Sequence, residues 1–507
     1  MALGVAAGLP SDNAEGTAVP RTPPRLGGVP LKSSRSENLD MPIAWRSLPR
    51  RTILVALALA GLAGPALSLA ASLDRPAPSR AAELRDLAVV RQEYLPKEMA
   101  FSPATRALAL LLLERLERQA GSLSAAQFAV GLAEVGALTD NAHSGLRLRD
   151  PRTQPLARLP LHLLWLPDAL IVARGSGAAA DLAGARVVRV EGRSPEALFD
   201  GAKVLLGGNE ANRKRWLCDW IEAAGILQAL GLAQSADRLS MTLRLPDGRT
   251  VERVVAMVPA AGLAPIPDVP RLWSPEPMVG EHGWATALRN AGLPLYLRDA
   301  DRPFRAVPLR EQRALYVQFR SNEDEDGFPI ARFLAEVRSR IAANRPANLI
   351  VDLRFDVGGN LLTTLDFMRG LAGSVKGRTF LLVGPYTFSA GIISAAAIKQ
   401  AGGERVTVVG DQIGDRLHFW SEGANIQLPE SHYSFRYTDG QFNLQDGCTG
   451  EPGCMDDRYP IAVNFASLDP EIRAPLTSKA YFAYRDPAME AIARYLAERR
   501  PPVARPR

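Results

Sequence analysis

Cysteine is scarce in this chain, with three among 507 residues, and this number is too low for a scaffold held together by disulfides. Cys448 and Cys454 lie six positions apart in a loop rich in glycine, so the spacing allows a local disulfide in an oxidising compartment. Cys218 lies between Trp216 and Trp220 and is predicted to be a buried, apolar thiol.

Histidine is also rare, and its positions are scattered: His143, His162, His282, His418 and His432. No group of cysteines and histidines has the spacing of metal ligands. We therefore predict neither a metal site nor another cofactor.

A basic stripe with interleaved aromatic residues is missing as well. The formal net charge is +6, but residues 1–51 hold seven basic and four acidic side chains and so account for +3 of it. Nucleic acid is therefore excluded as a partner. A composition with 47% hydrophobic and 22% charged residues is that of a globular protein, and the length predicts two or three domains.

A long apolar run occupies residues 52–70, directly after two arginines, and ends in small residues. This pattern is typical of a signal peptide, here residues 41–71, with cleavage near Ala70 or Ala71. The alternative is a membrane anchor, because the run is near the lower length limit for crossing a bilayer. We expect export to the periplasm or the extracellular space, with membrane contact only through an uncleaved segment.

The chain after the signal divides by its pattern into four segments and a tail. Apolar residues at helical spacing predict a helical bundle over residues 72–157, which ends in a polar turn holding His143. Short β-like runs follow. The remaining segments are a β domain at 158–258, a proline-rich linker with short strands at 259–312, an α/β core at 313–498 and a disordered tail at 499–507.

Within the β domain, the run from Ala180 to Gly192 and the later strand beginning at Leu243 resemble a PDZ domain. The alternative is an accessory β domain that packs against the rest of the chain and binds nothing.

Strands and helices alternate in the core, which predicts an α/β domain with right-handed crossovers and a multidomain α/β fold class overall. The apolar strand 349–353 ends in the pair Gly358 and Gly359, and the strand 379–383 ends in a turn containing Ser389. Sites in such sheets form outside the carboxyl ends of the strands.

Ser389 precedes a predicted helix and carries a hydroxyl suited to acyl transfer. A serine nucleophile requires a base and an oxyanion site. The N–H of Ala390 with one from Gly358 or Gly359 would form that oxyanion site, because helix N-termini and glycine turns leave amides free. The alternative is that Ser389 is an ordinary helix N-cap.

Five segments occur in the same order along the chain as the motifs of one known family. They are 352–360 (Asp-Leu-Arg-Phe-Asp-Val-Gly-Gly-Asn), 387–395 (Thr-Phe-Ser-Ala-Gly-Ile-Ile-Ser-Ala), 406–415, 468–472 and 485–492. They resemble the tail-specific, or C-terminal processing, protease family of serine peptidases (peptidase family S41). The resemblance implies a ClpP/crotonase-like core, serine peptidase activity and protein or peptide substrates. The chain departs from the family pattern at Asp356, where Asn is usual, and at Ile392, where Glu is frequent.

The lysine of the family's Ser/Lys dyad is missing, and Arg416 stands near its place. Arginine does not lose its proton in proteins and so cannot act as the base. Lys399 lies ten residues along the helix from Ser389, which is about 15 Å of rise and out of hydrogen-bond reach. A Ser/Lys mechanism is therefore not expected.

The tricorn-like branch of the family takes its base from the N-terminal region, and the turn around His143 resembles that branch. A triad also needs a carboxylate to orient the imidazole. Glu422 and Asp446 are the candidates, and each has the alternative of being an ordinary surface acid.

The resulting hypothesis is an exported serine endopeptidase of the carboxy-terminal processing type, with Ser389 as nucleophile and His143 as base. A catalytically inactive protein that binds peptides or apolar ligands on the same fold is the alternative. A hydrolase of small esters is a third option.

The position of the signal predicts that translation begins at Met41, with residues 1–40 a mis-assigned start or a disordered leader. Mass spectrometry of the intact precursor should give a chain beginning at Met41. A peptide from residues 1–40 would contradict this expectation.

Overall fold

The computed structural model describes residues 79–147, 156–259, 269–276, 281–289, 291–456, 458–459, 461 and 464–499. The predicted leader and signal, and all but the first residue of the predicted tail, lie outside these ranges. Within them, no helix combines the length and the apolar character needed to cross a membrane.

Serine residues mark the start of three N-terminal helices, because a serine side chain at the N-cap accepts a free N–H of the first turn. Ser79, Ser102 and Ser124 each make such a bond. The elements are α1 (Arg80–Val89), a π-helical turn (Val90–Tyr94), α2 (Leu95–Lys97), α3 (Pro103–Gln119), α4 (Ala125–Ala137) and the strand β1 (Gly145–Arg147). The turn that holds His143 therefore joins α4 to β1.

An antiparallel sheet follows, interrupted by helices that the sequence reading did not predict. Its elements are β2 (Leu161–Leu166), β3 (Ala169–Gly175), β4 (Arg186–Val190), α5 (Pro195–Ala202), α6 (Glu210–Ile221), α7 (Ala224–Ala229), β5 (Arg238–Arg244) and β6 (Thr250–Ala256). The side chains of Ser194 and Asn209 cap α5 and α6. Leu217 of α6 and Phe128 of α4 lie in one continuous core, so this sheet packs directly on the N-terminal helices.

The proline-rich segment contributes α8 (Val269–Trp273), β7 (Ala285–Thr286) and β8 (Phe304–Leu309). The predicted alternation then appears as β9 (Ala314–Phe319), α9 (Ile330–Asn344), β10 (Asn348–Asp352), α10 (Leu361–Leu371), β11 (Thr379–Val383), α11 (Ala390–Gly402) and β12 (Val406–Gly410). Strands β9 to β12 are parallel, and β11 and β12 are buried along their whole length. The α/β fold class is confirmed.

The C-terminal part consists of β13 (His418–Ser421), β14 (Asn425–Gln427), β15 (Ser434–Arg436), β16 (Gly440–Asn443), β17 (Ile472–Arg473), α12 (Ser478–Phe482) and α13 (Pro487–Glu498). The main sheet has the order β17-β12-β11-β10-β9-β8. Strand β1 pairs with β15, so the N-terminal helices are joined to the C-terminal part by a small sheet. Cys448 and Cys454 form a disulfide, and Cys218 is a buried free thiol.

A buried ion pair closes the carboxyl end of β10. Arg354 donates to Asp352 at 2.6 Å and to Asp486, the N-cap of α13, at 2.9 Å. Burial by itself would raise the pKa of Asp352, but the Arg354 charge and its hydrogen bonds outweigh burial and lower that pKa. The guanidinium thus ties the last helix to the end of the central strand.

We expect Arg354→Met to lower the free energy of unfolding by about 3–5 kcal/mol, because it leaves buried carboxylates without their partner. Chemical denaturation measures the change. Arg369→Met is the control, since Arg369 pairs with the exposed Asp366, and it should change stability by less than about 1 kcal/mol. Equal effects of the two substitutions would contradict this prediction.

Candidate active site

The Ser389 turn has a backbone unlike that of the other serine caps. Ser79, Ser102 and Ser124 have φ between −62° and −71°, whereas Ser389 has φ 54° and ψ −127°. A positive φ is uncommon for a residue with a Cβ atom, and strained backbone conformations cluster at functional sites. The Ser389 side chain makes no helix-cap hydrogen bond and is partly exposed. Ser389 therefore lacks both the backbone conformation and the side-chain hydrogen bond of an ordinary helix N-cap.

Hydrogen bonds from three neighbouring segments fix this turn. Thr387 donates its hydroxyl to the Leu353 carbonyl at 2.7 Å and accepts the Gly384 N–H at 3.0 Å. The Gly414 N–H donates to the Thr387 carbonyl at 2.9 Å. A Cβ atom on Gly414 would lie 2.6 Å from the Pro385 carbonyl oxygen, so only glycine fits there. The hydrogen bonds of Thr387 to these three segments therefore keep the backbone of the turn in the strained conformation at Ser389.

The glycine pair after β10 lies directly against the Ser389 turn. A Cβ atom on Gly358 would be 2.7 Å from the Ser389 Cβ and 3.0 Å from the Ala390 nitrogen. Gly358 and Gly359 have φ of 99° and 130°, which favours glycine at both positions. The Gly358 N–H, however, donates to the Asp356 carboxyl group at 3.0 Å and so points into the core.

His143 reaches the same place from the N-terminal helices. Its ring stacks on that of Phe388, the residue before Ser389, with centroids 4.2 Å apart and planes inclined by 22°. The ring of Phe419 stacks on it at 5.5 Å. Neither ring nitrogen has a hydrogen-bond partner among the residues described. The structure therefore brings the Ser389–Ala390 turn together with Gly358 and, through Phe388, with His143, which come from three separate parts of the sequence.

The His143 turn is held by a buried polar network. Asn141 donates to the Ser144 hydroxyl at 2.8 Å and accepts the Trp420 N–H at 3.3 Å. Thr438 lies 3.1 Å from Ser144 and donates to the buried Glu98 at 2.6 Å. These contacts join the α4–β1 turn to the segment after α2 and to the C-terminal part, so the position of the imidazole depends on all three.

A carboxylate that the sequence reading did not propose lies beside the imidazole. Asp415 Oδ2 is 3.7 Å from His143 Nδ1, and both side chains are buried. Asp415 lies in the Gly-Asp-Arg turn, near the place that a lysine takes in the Ser/Lys members of the family that the sequence resembles. Glu422 and Asp446 are exposed, and no contact in the described part of the chain joins either of them to His143.

Burial shifts the pKa of both partners toward their neutral forms. It raises the pKa of Asp415 to about 7, against smaller lowering effects from the Arg416 N–H and charge. It also lowers the pKa of His143 well below its usual range, with Arg147, Arg436 and Arg215 acting in the same direction. A neutral imidazole is the form that can accept a proton.

The two cations considered for the base role are bonded elsewhere. Lys399 donates to the Val406 carbonyl and pairs with Glu471. Arg416 pairs with Asp140 at 2.8 Å.

Comparison with known proteins gives only distant structural likenesses. No family model and no curated protein matches the chain. Among solved structures, mature CPAF complexed with lactacystin is 13% identical, with 83% of this chain and 97% of that chain covered and a TM-score of 0.47. The photosystem II D1 C-terminal processing protease is 13% identical, with 82% and 97% covered and a TM-score of 0.34. The tricorn protease is 11% identical, with 83% and 37% covered and a TM-score of 0.29. These values are low, so an assignment of activity rests on the geometry of the site.

The raised pKa of Asp415 predicts that the free energy of unfolding depends on pH. Because the folded protein holds this proton more tightly than the unfolded chain, stability falls as pH rises from about 4 to 7. Asp415→Asn should remove that part of the slope and raise the free energy of unfolding at pH 8 by about 4 kcal/mol. Denaturation at pH 4 and pH 8 measures it, with the exposed Asp446→Asn as control. Identical slopes for wild type and Asp415→Asn would show that Asp415 ionises normally.

Proposed function

We propose that this protein is an exported serine endopeptidase of the carboxy-terminal processing type, with Ser389 as nucleophile, His143 as general base and Asp415 as the orienting carboxylate. One observation carries the proposal: the buried imidazole of His143 stacks on Phe388, next to a strained serine, with the Asp415 carboxyl group 3.7 Å from Nδ1.

The reaction begins when the Ser389 hydroxyl comes within hydrogen-bond reach of His143 Nε2, which accepts the proton as the Ser389 oxygen attacks a peptide carbonyl. Positive charge then develops on the imidazole, and Asp415 stabilises it through the Nδ1–H. The 3.7 Å separation has to shorten by about 0.8 Å to become a hydrogen bond, and catalytic hydrogen bonds are often long before substrate binds. His143 then protonates the leaving amine, and water releases the acyl-enzyme.

The oxyanion of the tetrahedral intermediate is held by backbone amides. The Ala390 N–H begins α11, where the helix dipole also favours negative charge. Gly358 or Gly359 supplies the second donor from the facing turn, and the close approach of Gly358 to Ser389 and Ala390 supports this. Each such donor contributes about 10²–10³ in rate.

A groove beside the Ser389 turn supports a peptide substrate. It has a volume of about 240 Å³. Its walls are Trp165 of β2, Pro167 of the β2–β3 turn, Lys214 of α6, and Tyr386 and Asp411 of the core. Aromatic walls with charged rims suit a peptide side chain. The signal-like segment and the Cys448–Cys454 disulfide support export.

A peptide-binding protein without catalysis is the second candidate. It is favoured by the Gly358 N–H, which is bonded to Asp356 and not directed at Ser389, and by the long separation between His143 and Asp415. The two functions differ in whether Ser389 reacts covalently.

A fluorophosphonate probe should label the wild-type protein and fail to label Ser389→Ala. Ser374→Ala is the matched control, because the Ser374 hydroxyl donates to a helix carbonyl away from the site, and it should be labelled like wild type. Absence of label on folded wild type would favour the binding protein. Comparing the turnover of peptides and of small esters separates a peptidase from an esterase.

His143→Gln should lower kcat for a peptide substrate by about 10³-fold or more, and Asp415→Asn by a smaller factor, since the orienting group acts through the imidazole. Steady-state kinetics with KM measured separately checks both. The exposed carboxyl variants Glu422→Gln and Asp446→Asn should keep wild-type rates. A large loss in either of these, with Asp415→Asn unaffected, would move the orienting role to that residue.

A further inference from the structure

Asp356 lies fully buried beneath the Ser389 turn. Its backbone carbonyl accepts the Phe388 N–H at 2.9 Å, and a Cβ atom on Gly391 would lie 3.1 Å from its Cγ. The carboxyl group therefore sits under the first turn of α11, on the inner side of the predicted oxyanion site.

Two N–H donors converge on one oxygen of this carboxyl group. Asp356 Oδ1 accepts the Asn322 side-chain amide at 2.6 Å and the Gly358 N–H at 3.0 Å. The amide of Asn322 is oriented by two hydroxyl groups, since its Oδ1 accepts from Thr364 at 2.7 Å and from Ser394 at 2.9 Å. The Asn322 nitrogen therefore has to face Asp356.

The other oxygen, Asp356 Oδ2, is buried and has no hydrogen-bond partner among the residues described. An unpaired buried carboxylate oxygen is costly, so it is the natural position for a proton. Burial raises the pKa of Asp356 to about 7, while the N–H donors of Gly358 and Asn322 lower it. The proton is thus gained or lost near neutral pH.

We propose that Asp356 is a positioning residue that decides whether the Gly358 amide points into the core or toward the reacting carbonyl. The inference rests on the proposed function, because it concerns the oxyanion site of that reaction. A single N–H cannot fully serve both Asp356 Oδ1 and an oxyanion. Hydrogen bonds to a charged acceptor are roughly twice as strong as those between neutral groups. The ionised carboxylate therefore holds the Gly358 amide inward, and the protonated acid releases it.

Other charged or titratable groups also lie around this turn. Glu323 lies beside Gly359 and is exposed. The Arg320 guanidinium donates to backbone carbonyls of the segment before β8, including that of Arg302. The pair His143 and Asp415 contacts the turn through Phe388.

The test compares wild type, Asp356→Asn and the exposed Asp366→Asn over pH 5 to 9. Asparagine keeps the shape and the Oδ1 acceptor but does not ionise. We expect the ratio of kcat in Asp356→Asn to kcat in wild type to rise above pH 7, and the same ratio for Asp366→Asn to stay constant, since the ionisation of Asp415 is common to all three proteins. At pH 8.5, Asp356→Asn should then exceed wild type by about tenfold, a part of what one oxyanion donor supplies. Superimposable profiles for all three proteins would overturn the proposal.

A second measurement does not depend on turnover. In Ser389→Ala protein labelled with ¹³C-valine and ¹⁵N-glycine, the Val357–Gly358 amide signal should shift with a midpoint near pH 7, and Asp356→Asn in the same background should abolish the shift. If this amide titrates but the wild-type protein has no peptidase activity, the proposed function is refuted and the positioning role stays intact. A pH-independent amide in an active enzyme would refute the positioning role alone.

Discussion

The parallel pairing of β10 with β11 is the interaction on which the site depends. In this register Asp352 lies opposite Leu382, so the two strands end side by side and their turns emerge at one edge of the sheet. The contact is tight enough that a Cβ atom on Gly358 would overlap the Ser389 side chain. A shift of one residue in this pairing would separate the two turns and also exchange the side chains that pack on the two buried faces of the strand.

The second requirement is long-range, because the imidazole comes from the other end of the chain. The His143 turn is fastened by the pairing of β1 with β15 and by the hydrogen bond between Asn141 and Trp420. A Cβ atom on Gly207, after α5, would lie 2.5 Å from the Asn141 carbonyl oxygen, so the inserted sheet and its helices support the turn from behind. The insert therefore contributes to the geometry of the site as well as to the groove beside it.

Sequence reasoning succeeded where the signal was local. The strand ends at Gly358 and Ser389 follow from an apolar strand followed by a glycine or serine turn, and parallel topology then brings them together. Asp415 could not be found in this way. Its inward direction depends on Gly414 bonding to Thr387, whereas in the sequence an aspartate between Gly and Arg reads as a surface turn. Helices α5 and α6 each begin after a capping residue that can be recognised in the sequence, Ser194 and Asn209. The β-like runs on either side of them favoured the prediction of strands alone.

The electrostatics of the site argue for chemistry more than for simple binding. Asp356 and Asp415 are each buried with one carboxyl oxygen that has no hydrogen-bond partner among the residues described, and burial raises the pKa of both to about 7. Each makes the folded protein less stable as pH rises from about 4 to 7, and the positive φ of Ser389 adds strain at the same place. By contrast, the buried Asp352 has its charge matched by Arg354. The fold can therefore pair a buried acid with a basic side chain. Around the strained Ser389 it instead holds two acids, Asp356 and Asp415, whose pKa is about 7, and groups with such proton affinities suit acid–base work near that pH.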